Sequence, residues 1–71
     1  MRPYRLHTFI RENRKAEVYK YHNEFIVKCY IDGELIGQRL IEEHNESYAE
    51  EAAENYVDGI WELEEKEYGL F

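Results

Sequence analysis

Two alternating segments joined by Asp32-Gly33 constrain the fold of this chain more than any other feature. Residues 25–31 (FIVKCYI) are rich in β-branched and aromatic side chains, and residues 34–42 return with the same two-residue alternation. An Asp-Gly pair between two such segments is the strongest short-range signal for a β-hairpin with a type I′ turn. The sequence therefore predicts two antiparallel strands at this point.

A third strand is predicted over residues 16–21, because the same alternation begins at Ala16 and His22-Asn23 offers a second tight turn. Residues 1–13 fit neither the strand period nor the helix period. We expect them to form an N-terminal arm or an extra short strand, with residues 14–71 as a single domain.

An amphipathic helix is predicted from Ser47 to Lys66. Ser47 and Glu50 have the spacing of a capping box, in which each side chain accepts a hydrogen bond from the other residue's backbone N–H. Gly59 costs about 1 kcal/mol in a helix interior relative to Ala, which suggests a kink or a close contact there. One helical face is apolar, with residues at the three- and four-residue spacing: Ala49, Ala52, Ala53, Tyr56, Val57, Ile60 and Leu63.

Together these elements predict an α+β fold, a three-stranded antiparallel meander with one C-terminal amphipathic helix packed on one face (βββα). A two-residue turn at Asp32-Gly33 would pair Cys29 with Ile36, so Cys29 is expected to be a buried small hydrophobe. The sheet face under the helix is then predicted to hold Ala16, Val18, Phe25, Val27, Cys29, Ile31, Ile36 and Leu40.

The opposite sheet face is predicted to be rich in tyrosine. It collects Tyr19, Tyr21, Ile26, Lys28, Tyr30, Leu35, Arg39 and Ile41. One helix covers only one face, and an apolar surface of this size is unusual on a monomer. Either residues 4–10 or the C-terminal residues fold over it (Trp61, Tyr68, Leu70 and Phe71), or it contacts a partner or a second subunit, as tyrosine-rich patches that hold an Arg often do.

The size of the chain limits its stability. A domain of 71 residues buries a modest share of its surface, and one cysteine cannot form an internal disulfide, so dense packing or a second copy has to stabilise it.

No apolar run reaches the roughly 20 residues of a membrane span, and no signal peptide opens the chain. We expect a cytoplasmic protein, in the host cytoplasm if the protein is viral.

The net charge of −7 is unevenly distributed. Most of the cations lie in the first 20 residues, whereas the rest of the chain is strongly acidic, which opposes binding to phosphate backbones. Direct DNA or RNA binding stays open as an alternative through Arg2, Arg5, Arg11, Arg14, Lys28 and Arg39.

One side of the predicted helix carries carboxylates along about 20 Å: Glu51, Glu54, Asp58, Glu62 and Glu65. Such a side usually confers solubility, but it could also mimic nucleic-acid charge towards a protein that binds nucleic acid.

Residues suited to catalysis or metal binding are scarce. His7, His22 and His44 stand far apart without a paired-ligand spacing, and one cysteine cannot complete a zinc site. No glycine-rich phosphate loop occurs. We therefore predict no enzymatic activity, no cofactor and no metal.

The stretch from Val18 to Trp61, with EFIVKCYIDGELIG followed by SYAEEAAENYVDGIW, resembles small uncharacterised proteins of tailed phages, particularly cyanophages. Those proteins share a hairpin of the type YIV-x-F-x-x-DG and an acidic helix of the type EEA-x-x-A-x-x-Y/W-V. The resemblance implies a phage-encoded accessory protein that acts on a host component, and it brings no catalytic residues.

The strand-strand-strand-helix order is also similar to the sheet domains with which phage integrases and plant AP2 factors read DNA. In those domains the exposed sheet face carries several basic residues, and here the corresponding positions are Tyr19, Lys28, Tyr30 and Arg39. Only two of these are basic, in a chain of net −7.

The preferred prediction is a non-enzymatic protein-interaction module of phage type. It would self-associate, as a possible homodimer, or bind a host protein through the tyrosine-rich sheet face. The acidic nucleic-acid mimic and the weak DNA or RNA binder are the two alternatives.

Overall fold

The computed structural model describes residues 4–63, which form four antiparallel strands followed by one helix. The strands are β1 (Tyr4–Arg11), β2 (Arg14–Tyr21), β3 (Glu24–Ile31) and β4 (Glu34–Ile41), and they lie in the sheet in chain order. Helix α1 is Glu46–Val57. The α+β fold with an antiparallel sheet and one C-terminal helix is confirmed, but the predicted number of three strands was wrong.

Strand β1 is the extra strand that was one of the two predictions for residues 1–13, and a β-bulge interrupts its alternation. Arg5 pairs with Tyr19 of β2, but the next pair joins His7 to Val18, so Leu6 is an extra residue. Two residues on one strand then oppose one on its partner, and the period of two is lost. Residues 4–11 are thus the extra strand at the sheet edge and not an arm.

The tight turns between strands begin with residues in the left-handed backbone region. Glu12, His22 and Asp32 have φ values of 55°, 58° and 53°. Gly33 follows with φ 83°, so Asp32-Gly33 has positive φ at both positions, as the predicted type I′ turn requires.

The core lies between the sheet and α1. Helix residues Ala49 and Ala53 are fully buried, and their small side chains let the helix backbone approach the strands closely. Cys29 is fully buried, as predicted. The buried hydrophobic residues in the described part of the chain are Ala16, Val18, Phe25, Val27, Cys29, Ile41, Ala49, Ala53, Tyr56, Val57 and Leu63.

A second bulge, at Ile36 of β4, changes which side chains face the helix. Tyr30 pairs with Leu35 as predicted, but Cys29 pairs with Gly37 instead of Ile36. A shift of one residue moves every later side chain to the opposite face. Arg39 and Ile41 therefore lie on the helix side, contrary to the prediction, and Ile41 is buried.

Leu40 makes the opposite move. It was predicted beneath the helix, but it is 48% exposed and pairs with Ile26 on the other face.

The helix begins and ends earlier than predicted. Asn45 is the N-cap, and its side chain accepts a hydrogen bond from the Tyr48 N–H at 3.0 Å, so the predicted capping box of Ser47 and Glu50 was wrong. Asn caps a helix as well as Ser does.

Gly59 ends the helix with φ 80°. Its N–H donates to the Tyr56 carbonyl at 3.0 Å, and the Ile60 N–H donates to the Asn55 carbonyl at 2.9 Å. These two bonds are those of a Schellman motif, in which a left-handed glycine stops the helix. The predicted continuation past this point was wrong, and its end at Lys66 lies outside the described residues.

The chain after Gly59 folds back onto the domain. Trp61 donates its indole N–H to the Ala52 carbonyl at 2.9 Å, and Leu63 is buried. Tyr68, Leu70 and Phe71 lie outside the described residues. Within residues 4–63, no helix has both the length and the apolar character that a membrane span needs.

Candidate interaction face

One face of the sheet carries no helix, and we call it the open face. Strand alternation and register assign fourteen residues to it. They are Arg5, Thr8 and Ile10 of β1; Lys15, Glu17, Tyr19 and Tyr21 of β2; Glu24, Ile26, Lys28 and Tyr30 of β3; and Leu35, Gln38 and Leu40 of β4.

The open face contains six of the eight side chains predicted for it. Tyr19, Tyr21, Ile26, Lys28, Tyr30 and Leu35 lie there. Arg39 and Ile41 lie on the other side because of the bulge at Ile36. The signal for that bulge was Gly37, since an isolated glycine inside a strand often marks one.

Glu17 lies at the centre of the open face and is the main residue that sequence reasoning missed. It is only 5% exposed, although helix α1 lies on the other side of the sheet. Its carboxylate accepts hydrogen bonds from the Tyr30 hydroxyl at 2.6 Å, the Tyr19 hydroxyl at 3.2 Å and the Arg5 guanidinium at 3.2 Å. A glutamate on the outward side of a strand carries no sequence signal of burial, so only the three-dimensional arrangement identifies it.

The hydrogen bonds keep Glu17 ionised despite its burial. Burial alone raises the pKa of the Glu17 carboxyl, but the bonds from Tyr30, Arg5 and Tyr19 and the charge of Lys15 outweigh it and lower the pKa below its usual value. Burial and the neighbouring carboxylate raise the pKa of both tyrosine hydroxyls. The cluster is therefore an anionic acceptor surrounded by neutral and cationic donors at neutral pH.

Two lysines cover the tyrosine rings. The Lys15 ammonium lies 4.2 Å from the centre of the Tyr30 ring, and the Lys28 ammonium lies 4.6 Å from that of Tyr19. Cations at this distance are attracted to the negative face of the ring. Each ring is therefore held from two directions, by a lysine over its face and by Glu17 at its hydroxyl.

Apolar side chains flank this polar centre. Ile10 is 70% exposed, Leu40 is 48% exposed and Leu35 is 37% exposed. Ile26, next to Tyr19 and Leu40, is half-buried. The open face thus combines ordered tyrosines, cations and exposed aliphatic groups, as protein-binding surfaces often do.

Arg39 lies in a groove of about 200 Å³ between α1 and β4. Its guanidinium stacks over the Trp61 ring at 4.1 Å, and Ile41 and Ala52 contribute apolar walls. Arg39 therefore packs between β4 and the segment after the helix.

One cluster offers metal-ligand atoms. His7, Glu46 and Glu50 place one donor atom each within 4.8 Å of one another. The His7 Nε2 lies 2.6 Å from the Glu46 carboxylate and 3.5 Å from that of Glu50. These contacts connect β1 to the N-terminal part of α1, so the cluster has a structural role.

The predicted row of helix carboxylates is interrupted. Glu51 and Glu54 are exposed on α1, but the helix ends before Asp58, whose carboxylate lies 3.2 Å from Arg11. Glu62 pairs with Arg14, and Glu65 lies outside the described residues. The regular spacing expected of an extended acidic row is therefore absent over residues 51–62.

Several cations predicted to bind nucleic acid have intramolecular partners. Arg5 contacts Glu17 and Arg11 contacts Asp58. Arg14 donates to the Tyr56 carbonyl at 3.0 Å near the end of α1, where a cation interacts favourably with the helix dipole. Arg2 lies outside the described residues.

Comparisons of the chain with known protein families, with curated proteins and with solved structures return no match.

Proposed function

We propose that this chain is a non-enzymatic protein-interaction module whose contact surface is the open face. The partner is a protein, either a second copy or a protein of another kind. A phage-type accessory role, in which the partner is a host component, belongs to the same proposal and rests on the sequence resemblance.

The observation that carries the proposal is a sheet face that residues 4–63 leave uncovered. Helix α1 packs against β1, β2 and β3 on the opposite side. Residues 4–11 pair with β2 at the sheet edge, so they do not fold over the tyrosines. Among residues 4–63, no element lies across Tyr19, Ile26 and Tyr30 on this side.

The order of the open face also supports binding. Tyrosine contributes large contact area with few rotatable bonds, and residues fixed before binding lose less entropy on association. Glu17 fixes both hydroxyls, and Lys15 and Lys28 lie over the two rings. Burial of a charge is costly unless it is paired, and the Glu17 carboxylate has three donors on this face.

The sheet edges favour contact through the face instead. β1 is bulged at Leu6 and β4 at Ile36, and these are the two edge strands. Bulges at an edge disrupt the row of free backbone groups and oppose strand addition.

The proposal is tested with paired variants of matched chemistry. Leu35→Glu with Leu40→Glu places two carboxylates on the open face. Tyr48→Glu with Ile60→Glu places two at exposed apolar positions elsewhere, and these four side chains are 37% to 69% exposed. Circular dichroism and thermal unfolding are used first to check that both variants are folded.

Association is then measured by sedimentation velocity for the chain itself, and by quantitative affinity capture from bacterial lysate for other proteins. We expect the open-face variant to lose association that the control variant keeps. Equal behaviour of both variants in both assays would refute the proposal.

A labelled single-stranded oligonucleotide tests the alternative that the open face binds nucleic acid. Binding that is lost in the double variant Lys15→Glu with Lys28→Glu would assign the face to nucleic acid and would also refute the proposal.

A further inference from the structure

The open face is arranged in rows that run across the strands. Cross-strand pairing aligns Ile10, Lys15, Tyr30 and Leu35 in one row. The next open-face row holds Thr8, Glu17, Lys28 and Gln38, and the third holds Arg5, Tyr19, Ile26 and Leu40. A polar row therefore lies between two rows that mix apolar, aromatic and cationic side chains.

We propose that the partner of the open face is a second copy of this chain, packed face to face about a two-fold axis that runs along the strands between β2 and β3. This inference rests on the proposed function and names its partner. Such an axis places β2 over the partner's β3 and β1 over the partner's β4, with each row facing the same row of the other copy. The strands of the two sheets are then nearly aligned, which is a common way for sheets to pack.

Two of the three rows are self-complementary under this axis, whereas the third places Tyr19 opposite Ile26 and Arg5 opposite Leu40. In the polar row, Glu17 faces the other copy's Lys28. In the first row, Lys15 faces Tyr30 and Ile10 faces Leu35. A two-fold interface requires one patch to complement itself, and here anion faces cation, cation faces aromatic ring, and aliphatic group faces aliphatic group.

The other in-plane axis, perpendicular to the strands, gives a poorer match. When this axis passes through the polar row, it places each strand over its own copy, so that Glu17 faces Glu17 and Lys28 faces Lys28. Like charges in direct opposition across an interface are unfavourable. With the polar row at the centre of the interface, the charge pattern therefore favours the axis along the strands.

The net charge and the area of the open face are both consistent with a second copy of the chain packed on it. The chain carries −7 overall, whereas the open face holds three cations and two carboxylates, a net charge of +1. Two acidic chains thus repel each other least through this face. Four strands of eight residues cover roughly 26 by 19 Å. The accessible area of such a face approaches the roughly 600 Å² per partner at the lower limit of specific interfaces.

Thr8 and Gln38 provide the test, because they lie in the polar row on opposite edge strands and take no part in the Glu17 cluster. Under the proposed axis, Thr8 faces the other copy's Gln38. Thr8→Lys with Gln38→Glu, and Thr8→Glu with Gln38→Lys, would each create two ion pairs per dimer. Thr8→Lys with Gln38→Lys, and Thr8→Glu with Gln38→Glu, would each create two repulsive contacts.

Sedimentation equilibrium of the four variants and the native chain at low salt gives their dimer dissociation constants. We expect the two opposite-charge variants to bind roughly two- to tenfold more tightly than the native chain, and the two like-charge variants to bind more weakly. The opposite-charge variants keep the native net charge, and the two like-charge variants change it in opposite directions, so a change in net charge alone cannot produce this pattern. Weaker association in all four variants would contradict the axis.

A native chain that stays monomeric at millimolar concentration would overturn the second-copy proposal. If lysate capture still depended on Leu35 and Leu40 in that case, the proposed function would stand with another protein as partner. If capture were also independent of the open face, both proposals would fall.

Discussion

Glu17 is the residue on which the order of the open face depends most. Three donors converge on one carboxylate that is only 5% exposed. A buried charge of this kind is favourable only while its partners are in place. Its removal should therefore affect both the stability of the sheet and the orientation of the two tyrosine rings.

Glu17→Gln is expected to lower the free energy of unfolding at pH 7 by about 1–3 kcal/mol, because hydrogen bonds to a charged group are lost or weakened. Urea unfolding followed by tyrosine and tryptophan fluorescence measures the change. Glu54→Gln, on the exposed side of α1, is the matched control and should change stability little.

The pH dependence of stability has a defined sign for Glu17. Its pKa is lower in the folded chain than in the unfolded chain, so its stabilisation is present above the unfolded value near 4.5 and is lost as the pH falls through the folded value. The gap in stability between the native chain and Glu17→Gln should narrow as the pH drops below about 4.5. A gap that stays constant down to strong acid would contradict an ionised Glu17.

Among the elements, helix α1 shows which features can be predicted from the local sequence pattern and which cannot. Its apolar face and its approximate start follow from the spacing of Ala49, Ala53 and Tyr56. Its end does not, because residues 60 and 63 continue the helical spacing past Gly59. The choice between a glycine inside a helix and a glycine that ends one depends on the burial of Trp61 and Leu63 against the domain, which is a tertiary effect.

Gly59→Ala separates the two interpretations. A Cβ at this position meets no atom within 4 Å, so the substitution tests backbone conformation alone. At φ 80° a non-glycine residue is strained, and we expect a loss of about 1 kcal/mol in thermal or urea unfolding. A helix that continued past Gly59 would instead be stabilised by alanine by a similar amount.

The strands, like the helix, could be predicted from the local sequence pattern only in part. The hairpin at Asp32-Gly33, the core face of β2 and β3 and the burial of Cys29 were all predicted from alternation and turn chemistry. Both bulges lie in edge strands, where a single extra residue redirects side chains such as Arg39 and Leu40. Alternation predicts a face only while the register is unbroken, so it did not give the faces of the side chains in β1 and in the second half of β4.

At the scale of the whole molecule, charge and coverage are both asymmetric. Among the described residues, the helix and the segment after it carry exposed carboxylates at 46, 51, 54, 58 and 62, whereas the open face carries ordered tyrosines under lysines. A sheet face that residues 4–63 leave uncovered, in a chain this small, gains stability if a second chain covers it. This asymmetry joins the fold to the proposed function.

Side-chain NMR on dilution tests most directly whether two copies meet through the open face. The account predicts that methyl signals of Ile26, Leu35 and Leu40 shift progressively between millimolar and micromolar protein, while the Ile60 signals, at a 69% exposed site beyond the helix, stay constant. Concentration-dependent shifts confined to Ile60 and the helix, or no shifts at any site, would contradict it.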